Sequence, residues 1–468
     1  MARHRRPRPP AEVQATHLDE KHTVCVGADG RAWRVRGAPV GATLVVAPGP
    51  KGEARRVSLT APAADAVTPA CPVFGVCGGC QLQEMPLGAQ RHEKARLLPT
   101  LVGLGEDDAA VPVLPLRGAP GAYRTRNKLE LSWGPRRYVT EEERAAAGGE
   151  DAPEGSFLGF HPAGWFGKIV PVTGCPLGTA AMDAAIARVA ALGLAPAWDT
   201  RRGQGAWRHL VLRDTGTPED PRLLVAVVTS SAVTDAEMDA VAAALDGIAG
   251  LSGVLHIEND GLAEVATGRL RRVLRGDDRL RVRLAGRALE LPWDAFFQVN
   301  LDGAEHLVAT IAEALGPAPA APTGTLYDLY CGVGALGFAL ADRYARLVGV
   351  ELHAPAIVTA RENAARLGIA GEWHAGAVED VLPSLPPPAP GPVHLLVDPP
   401  RVGLHPKAAR FLASWPADAL VYVACGPRAL ARDRAVLAAG GWRLDALWGV
   451  DLFPQTHHIE AVARFVRA

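Results

Sequence analysis

Beyond Pro317-Ala318-Pro319 the chain alternates short apolar runs with amphipathic stretches of helical length, and this alternation constrains the fold more than any other feature. Residues 326–330 read as a strand, followed by a Gly-rich turn and a helix over 335–340. Strand 347–350, helix 354–367, strands 393–397 and 420–424, and helix 429–439 follow. Apolar strands of this kind are buried on both faces only between two helical layers, so a doubly wound, mostly parallel α/β sheet is expected over 311–468.

The rest of the chain reads differently. At 468 residues it exceeds the size at which one core keeps growing, so two or three domains are expected. Residues 23–60 alternate short β-type runs with turn signals such as Gly27-Ala28-Asp29-Gly30, which fits a small β-barrel over 16–68 behind a basic arm at 1–15. An Ala- and Pro-rich linker at 61–69 leads to an α+β central domain over 69–310, with a loop expected at 140–155. Hydrophobic residues make up 48% of the chain and no apolar run reaches the roughly 18 residues of a membrane span. The Arg- and Pro-rich start lacks the apolar core of a secretory signal, so a cytoplasmic, monomeric protein without a membrane partner is expected. A net charge of −1 gives no global case for nucleic acid, and any RNA contact must come from local patches.

Candidate cofactor residues gather at the strand ends. Asp328-Leu329-Tyr330-Cys331-Gly332-Val333-Gly334 joins a strand to a helix, where glycines let a bound cofactor approach the backbone. Gly332, Gly334 and Gly337 also satisfy the dinucleotide pattern formally, so spacing alone leaves a dehydrogenase open. Glu351 ends the next strand, about twenty residues on, where an acid can accept hydrogen bonds from ribose hydroxyls. Asp398-Pro399-Pro400-Arg401 lies at another carboxyl end. Three of the seven cysteines, Cys71, Cys77 and Cys80, crowd together, and with Cys175 they make four thiolates suited to Zn2+ or to a [4Fe-4S] cluster.

Five segments taken in order resemble the motifs of the RNA (uracil-5-)-methyltransferase family. They are Phe297-Gln298-Val299-Asn300, the segment 328–334, Asp398-Pro399-Pro400-Arg401-Val402-Gly403, Tyr422-Val423-Ala424-Cys425-Gly426-Pro427 and the segment 453–460. Cys71-x5-Cys77-Gly78-Gly79-Cys80 with Cys175 resembles the iron-sulfur ligands of the 23S ribosomal RNA branch, and residues 16–65 look loosely like its TRAM-type, OB-like barrel. The resemblance implies a Rossmann-like class I methyltransferase domain that binds S-adenosylmethionine through Gln298, Tyr330, Gly332, Gly334, Glu351 and Asp398. It implies Cys425 as nucleophile, Glu460 as general base and a [4Fe-4S] cluster on the four cysteines in preference to zinc. The family usually has Ser and Asn flanking its cysteine, where this chain has Ala424 and Gly426, and 375–378 lacks the polar side chain often found near the adenine.

The chemistry explains these residue types. Uracil C5 is a poor nucleophile until a thiolate adds at C6, and Cys425, before Gly426-Pro427 and a helix, is expected to have a lowered pKa. A base must then remove the C5 proton, for which Glu460 is the candidate and His457 and His458 the alternatives. The target base must leave its stack. Tyr123-Arg124-Thr125-Arg126-Asn127-Lys128, a basic strand start, is a candidate phosphate-contacting segment. Ribosomal RNA is the expected partner, with transfer RNA, or a non-catalytic RNA-folding role, as the competing readings.

Overall fold

The computed structural model describes residues 9–215, 220–385, 388 and 391–468. Five strands close an N-terminal barrel: β1 (Ala11–Leu18), β2 (Thr23–Gly27), β3 (Ala32–Val35), β4 (Thr43–Pro48) and β5 (Glu53–Ala61). Alternate side chains turn inward, so Val13, Cys25, Trp33, Val35, Leu44 and Val46 form its core. The barrel starts at Ala11, not at residue 16, because the alternation Ala11-Glu12-Val13-Gln14 already pairs with β4. Residues 11–15 of the expected basic arm are therefore strand, and residues 1–8 lie outside the described part.

Helix α1 (Leu87–Val102) follows the cysteine loop. The central sheet then takes β6 (Lys128–Gly134), β7 (Phe157–Phe160), β8 (Val170–Pro171), β9 (Trp207–Asp214), β10 (Leu223–Thr229), β11 (Leu251–Glu258) and β12 (Arg269–Gly276). Its order is β12-β11-β10-β9-β6-β7-β8. Between these strands run α2 (Glu141–Ala146), α3 (Ala180–Ala191) and α4 (Asp235–Leu245). Residues of α3 and α4 cover one sheet face, burying Leu129, Leu131, Trp133, Leu210 and Leu212, at about 1.5–3 kcal/mol for each large apolar side chain. The expected 140–155 loop contains α2 because Thr140 and Glu143 form a capping box, each side chain bonding the other's backbone N–H.

A hairpin of β13 (Arg279–Leu284) and β14 (Arg287–Pro292) and helix α5 (Leu301–Ala314) lead into the last domain. That domain contains β15 (Thr325–Leu329), α6 (Ala335–Ala339), β16 (Arg346–Glu351), α7 (Ala354–Leu367), β17 (Gly371–Ala375), α8 (Val378–Val381) and β18 (Val393–Val397). It ends with α9 (Pro406–Ser414), β19 (Ala419–Ala424), α10 (Pro427–Ala439), β20 (Trp442–Val450) and β21 (Glu460–Arg467). The order β17-β16-β15-β18-β19-β21-β20 is parallel from β17 to β19, with β21 antiparallel to both neighbours. This is the doubly wound α/β domain expected from the sequence, beside an α+β domain and a barrel.

The boundary expected at 311 cuts through α5. Leu307, Val308 and Ile311 of α5, and Val282 and Leu289 of the hairpin, pack into the same core as Leu326 and Leu396. The early segment 87–117 joins the last domain as well. Leu98 and Leu101 lie in its core, and Leu114 and Arg117 donate backbone N–H groups to Leu447 and Gly449 of β20. Among the described residues no helix is long and apolar enough to cross a membrane.

One fully buried ion pair clamps α1 to the chain leaving β20. Lys94 Nζ lies 2.6 Å from Asp451 Oδ1 and 3.0 Å from the Phe453 carbonyl, and both charged side chains are wholly buried. Removing Lys94 leaves the buried Asp451 carboxylate with only the partly exposed Arg91, whose Nε lies 3.2 Å away, at a cost of up to about 3–5 kcal/mol. Lys94→Met should therefore lower the thermal unfolding midpoint markedly, whereas Arg144→Ala, which breaks an exposed pair with Asp151, should leave it within measurement error.

Candidate active site

Strand register assembles the site. Leu329 pairs with Val350 on one side and with Val397 on the other, so the residues one step beyond, Tyr330, Glu351 and Asp398, line up across three carboxyl ends. On the far side, Ala424 pairs with Ala461 in antiparallel register, which brings Cys425 and Glu460 to the adjoining position. The expected nucleophile, base and three cofactor residues thus share one edge of the sheet.

The glycine turn is shaped by contacts that a side chain would destroy. Tyr330 and Gly332 have positive φ, 66° and 53°. At Gly334, φ is 84° and an added Cβ would lie 2.4 Å from the Phe338 ring. Asp328 Oδ2 accepts the Gly337 N–H at 3.0 Å, and Glu351 Oε2 accepts the Gly332 N–H at 3.1 Å. Glu351 also accepts the His353 N–H at 2.8 Å, so part of its capacity holds the turn itself. Gln298 stands outside this row, half-buried after β14, where its carbonyl accepts from Asn127 Nδ2 at 2.9 Å.

Charge in the site is unbalanced. Asp328 has its pKa pushed up to about 7 by desolvation and by Glu351, and Asp398 is likewise raised by desolvation and by Asp328. Glu460 is driven well above the carboxylate range by burial and by Asp398, with Arg401 opposing. Buried Asp328 Oδ1, Tyr330 Oη and Glu460 Oε1 have no hydrogen-bond partner among the described residues. Such a set of carboxyls fits a cationic ligand that also offers hydrogen-bond donors.

The lowered pKa expected for Cys425 is overturned. Burial, then the charges of Glu460 and Asp398, push the thiol up to about 12, and Arg401 offsets only part of this. The helix that follows, opening on Pro427, does not offset these effects. Gly426 is explained by packing: a Cβ there would lie 2.4 Å from the Arg401 carbonyl oxygen, so the side chain usual in the resembling family does not fit this loop. Asp433 fixes the same loop by accepting from Leu404 N–H and Tyr422 Oη, both at 2.7 Å.

The histidines are poor bases here. Burial lowers His457 to about 3 and His458 to about 4, and Arg401 donates to His458 Nδ1 at 2.6 Å. Sequence reasoning gave no role to Arg401, although it stood inside a quoted motif. Its placement between Cys425, Glu460 and His458 has no signature in the sequence.

Upstream, the four cysteines come together. Cys175 raises the pKa values of Cys71, Cys77 and Cys80, each already raised by burial, and all four are free thiols. Gly79 donates its N–H to Cys77 Sγ at 3.4 Å. Among the described residues, however, no group of three or more His, Cys, Asp or Glu side chains has the spacing to hold a metal ion. Beside the loop lies a cleft of about 1030 Å³ lined by barrel Arg34, Arg36, Arg55 and Arg56 and by Tyr138 and the exposed Trp165. The segment 123–127 is not strand: β6 starts at Lys128, Arg124 has a φ of 57°, and its guanidinium is held by Asp183 and the Gly178 carbonyl.

Residues 392–467 match the family model described as tRNA (Uracil-5-)-methyltransferase. The chain is 33% identical over 439 residues to an uncharacterized RNA methyltransferase of Chlorobaculum tepidum, covering 89% of this chain and 86% of the relative. Against another from Caldanaerobacter subterraneus subsp. tengcongensis, identity is 30% over 461 residues, covering 96% and 97%. The fold is similar to that of Pyrococcus abyssi tRNA (uracil-54, C5)-methyltransferase in complex with S-adenosyl-L-homocysteine, with a TM-score of 0.73 and 23% identity over 97% of this chain and 100% of that one.

The carboxyl pair predicts a pH dependence. Asp328 keeps its proton up to about 7 when folded and to 3.8 when unfolded, so between these values the folded state binds more protons and stability falls as pH rises. Asp398→Asn removes one carboxylate and relieves the other, and should flatten that fall. Thermal unfolding from pH 4.5 to 7.5 at fixed ionic strength, with no cofactor added, checks both statements.

Proposed function

Because the chain belongs to the family of S-adenosylmethionine-dependent RNA (uracil-5-)-methyltransferases, we propose that it methylates C5 of a uracil in 23S ribosomal RNA in the cytoplasm, through a covalent bond between Cys425 and C6. The observation that carries this reading is the register that sets Cys425 beside Glu460 at the sheet edge bearing Tyr330, Glu351 and Asp398. S-adenosylmethionine supplies an electrophilic methyl group when bound. Its positive sulfonium and amino groups suit Asp328 and Asp398, and its ribose hydroxyls suit the remaining capacity of Glu351. Gln298, Tyr330 and the Gly332–Gly334 turn complete the proposed cofactor contacts.

Cys425 reacts as the thiolate. A thiol held near 12 is largely protonated at neutral pH, so its activation requires added positive charge in the pocket beyond that of Arg401. The thiolate adds to C6, and the displaced electron pair makes C5 enolate-like. Once C5 carries the new methyl group, Glu460 takes the C5 proton, the C5–C6 double bond re-forms and Cys425 leaves as thiolate. A carboxylate with a raised pKa is a stronger base for this step than His457 or His458, which burial has made weak. The target base reaches Cys425 by leaving its stack.

We assign RNA binding to the barrel and the arginine-lined cleft beside it, where Trp165 and Tyr138 offer stacking surfaces among the guanidinium groups. Cys71, Cys77, Cys80 and Cys175 are proposed to hold a [4Fe-4S] cluster that pins this loop to the central domain. In support, Cys175 lies close enough to Cys71, Cys77 and Cys80 to raise their pKa values, and four thiolates are the ligand set of such a cluster. Anaerobically purified protein should contain iron and sulfide and lose both in Cys80→Ser. Bound zinc without iron would overturn the cluster. Transfer RNA is the second reading, favoured by the description of the matched family model.

Nucleoside analysis of ribosomal and transfer RNA from cells with and without the gene decides the substrate, and loss of 5-methyluridine from 23S RNA is expected. Cys425→Ala should neither restore it nor form a covalent RNA complex. Glu460→Gln should accumulate a denaturant-resistant protein–RNA adduct that depends on S-adenosylmethionine and on Cys425. Normal turnover by the Glu460 variant would place the base elsewhere.

A further inference from the structure

The face of the central sheet turned away from α3 and α4 holds a cavity of about 550 Å³ that the reaction above does not use. Lys128, Glu130 and Ser132 of β6 and His209 of β9 line it, with Glu264 and Trp293. A polar relay crosses it. His161 Nδ1 donates to the Lys168 carbonyl at 3.2 Å, which leaves Nε2 3.2 Å from Ser132 Oγ and 3.3 Å from Glu264 Oε1. Ser132 Oγ is in turn 3.3 Å from Nδ1 of the buried His209. The composition suggests a hydrolytic triad, but the geometry does not: the carboxylate meets the same ring nitrogen as the serine, and a backbone carbonyl occupies the other.

Two further features select the ligand. Phe166 is 76% exposed at the cavity wall, its ring centroid 5.7 Å from that of His161, whereas Trp293 is 6% exposed. A large exposed ring beside a polar recess offers a stacking surface to a flat partner. Glu130, Glu264 and Asp294 line or border the cavity, opposed by Lys128 at Glu130, His161 at Glu264 and the buried Arg213 near Glu130 and Asp294. Their carboxylate oxygens can accept from the exocyclic amine of adenine or cytosine.

We propose that this cavity receives a second unstacked base of the RNA substrate, one bearing an exocyclic amine, stacked on Phe166 and bonded by Glu264 and Ser132, which His161 holds in place. The proposal rests on the reading of this protein as an RNA methyltransferase, and adds that recognition extends to an adenine or cytosine near the target uracil. The test uses the whole protein with its cofactor site saturated by S-adenosylhomocysteine, and adenosine, cytidine and uridine as probes in saturation-transfer NMR. Adenosine and cytidine should show contact that Glu264→Gln and Phe166→Ala abolish, and uridine should show none that those variants change. Phe166→Ala should also weaken binding of the RNA identified by nucleoside analysis roughly tenfold, the size of one lost base stack, without changing S-adenosylhomocysteine affinity. Uridine contact equal to that of adenosine, or folded variants with unchanged nucleoside contact, would overturn the proposal. Variant-sensitive adenosine contact in a protein that methylates no uracil would uphold the cavity and sink the reaction instead.

Discussion

The backbone at Gln455 is where the parts of the molecule meet, and the position of Glu460 depends on it. Gln455 has a φ of 69°, and its carbonyl accepts N–H groups from Gln81 and Leu82, just beyond the cysteine loop. Its own N–H and side-chain carbonyl bond the amide of Gln90 on α1, at 2.9 and 3.0 Å. Four residues earlier, Asp451 is locked to Lys94 of the same helix. The segment leading from β20 to Glu460 is thus held by elements from the other end of the chain. Anything that loosens the cysteine loop acts on the proposed base through two hydrogen bonds.

Around that anchored carboxyl the protein has gathered more negative potential than it neutralises. Glu351 acts on Asp328, Asp328 on Asp398 and Asp398 on Glu460, each disfavouring ionisation of the next, and Arg401 is the cation that opposes this at Cys425 and Glu460. In a dehydrated site this imbalance favours protonated acids and a protonated thiol. A positive ligand therefore does more than bind: it shifts Glu460 and Cys425 towards the ionised forms that the proposed chemistry needs. Under the proposed mechanism, cofactor binding and activation of Cys425 are linked equilibria.

The α/β half of the fold was legible because its strands are apolar throughout and its helices amphipathic. Helix 354–367 and strand 393–397 fall where the periodicity put them. Contacts that depend on distant segments were not legible. A local argument from the helix after Cys425 gave the wrong direction for its pKa, since burial and two carboxylates outweigh a helix start that opens with proline. Nothing local in Lys94 or Gln90 announces that they face Asp451 and Gln455. The α2 capping box was in plain view, Thr140 three residues before Glu143, but was masked by an acidic run that resembles a solvated loop. Gly426 looked like a departure from pattern until the Arg401 carbonyl supplied its reason.

The pairing of 113–117 with β20 has a consequence for biosynthesis. Leu114 bonds Leu447, so the two halves of that contact leave the ribosome on the order of tens of seconds apart at ordinary elongation rates. During that interval the early segment, and Leu98 and Leu101 on α1, lack the core they will join. The barrel and central sheet can form in order of synthesis, whereas the last domain must capture a stretch made long before it. A nascent chain stalled before β20 would hold Leu98, Leu101 and Val102 at the end of α1 without the core they pack into, the kind of transiently exposed apolar surface that chaperones shield.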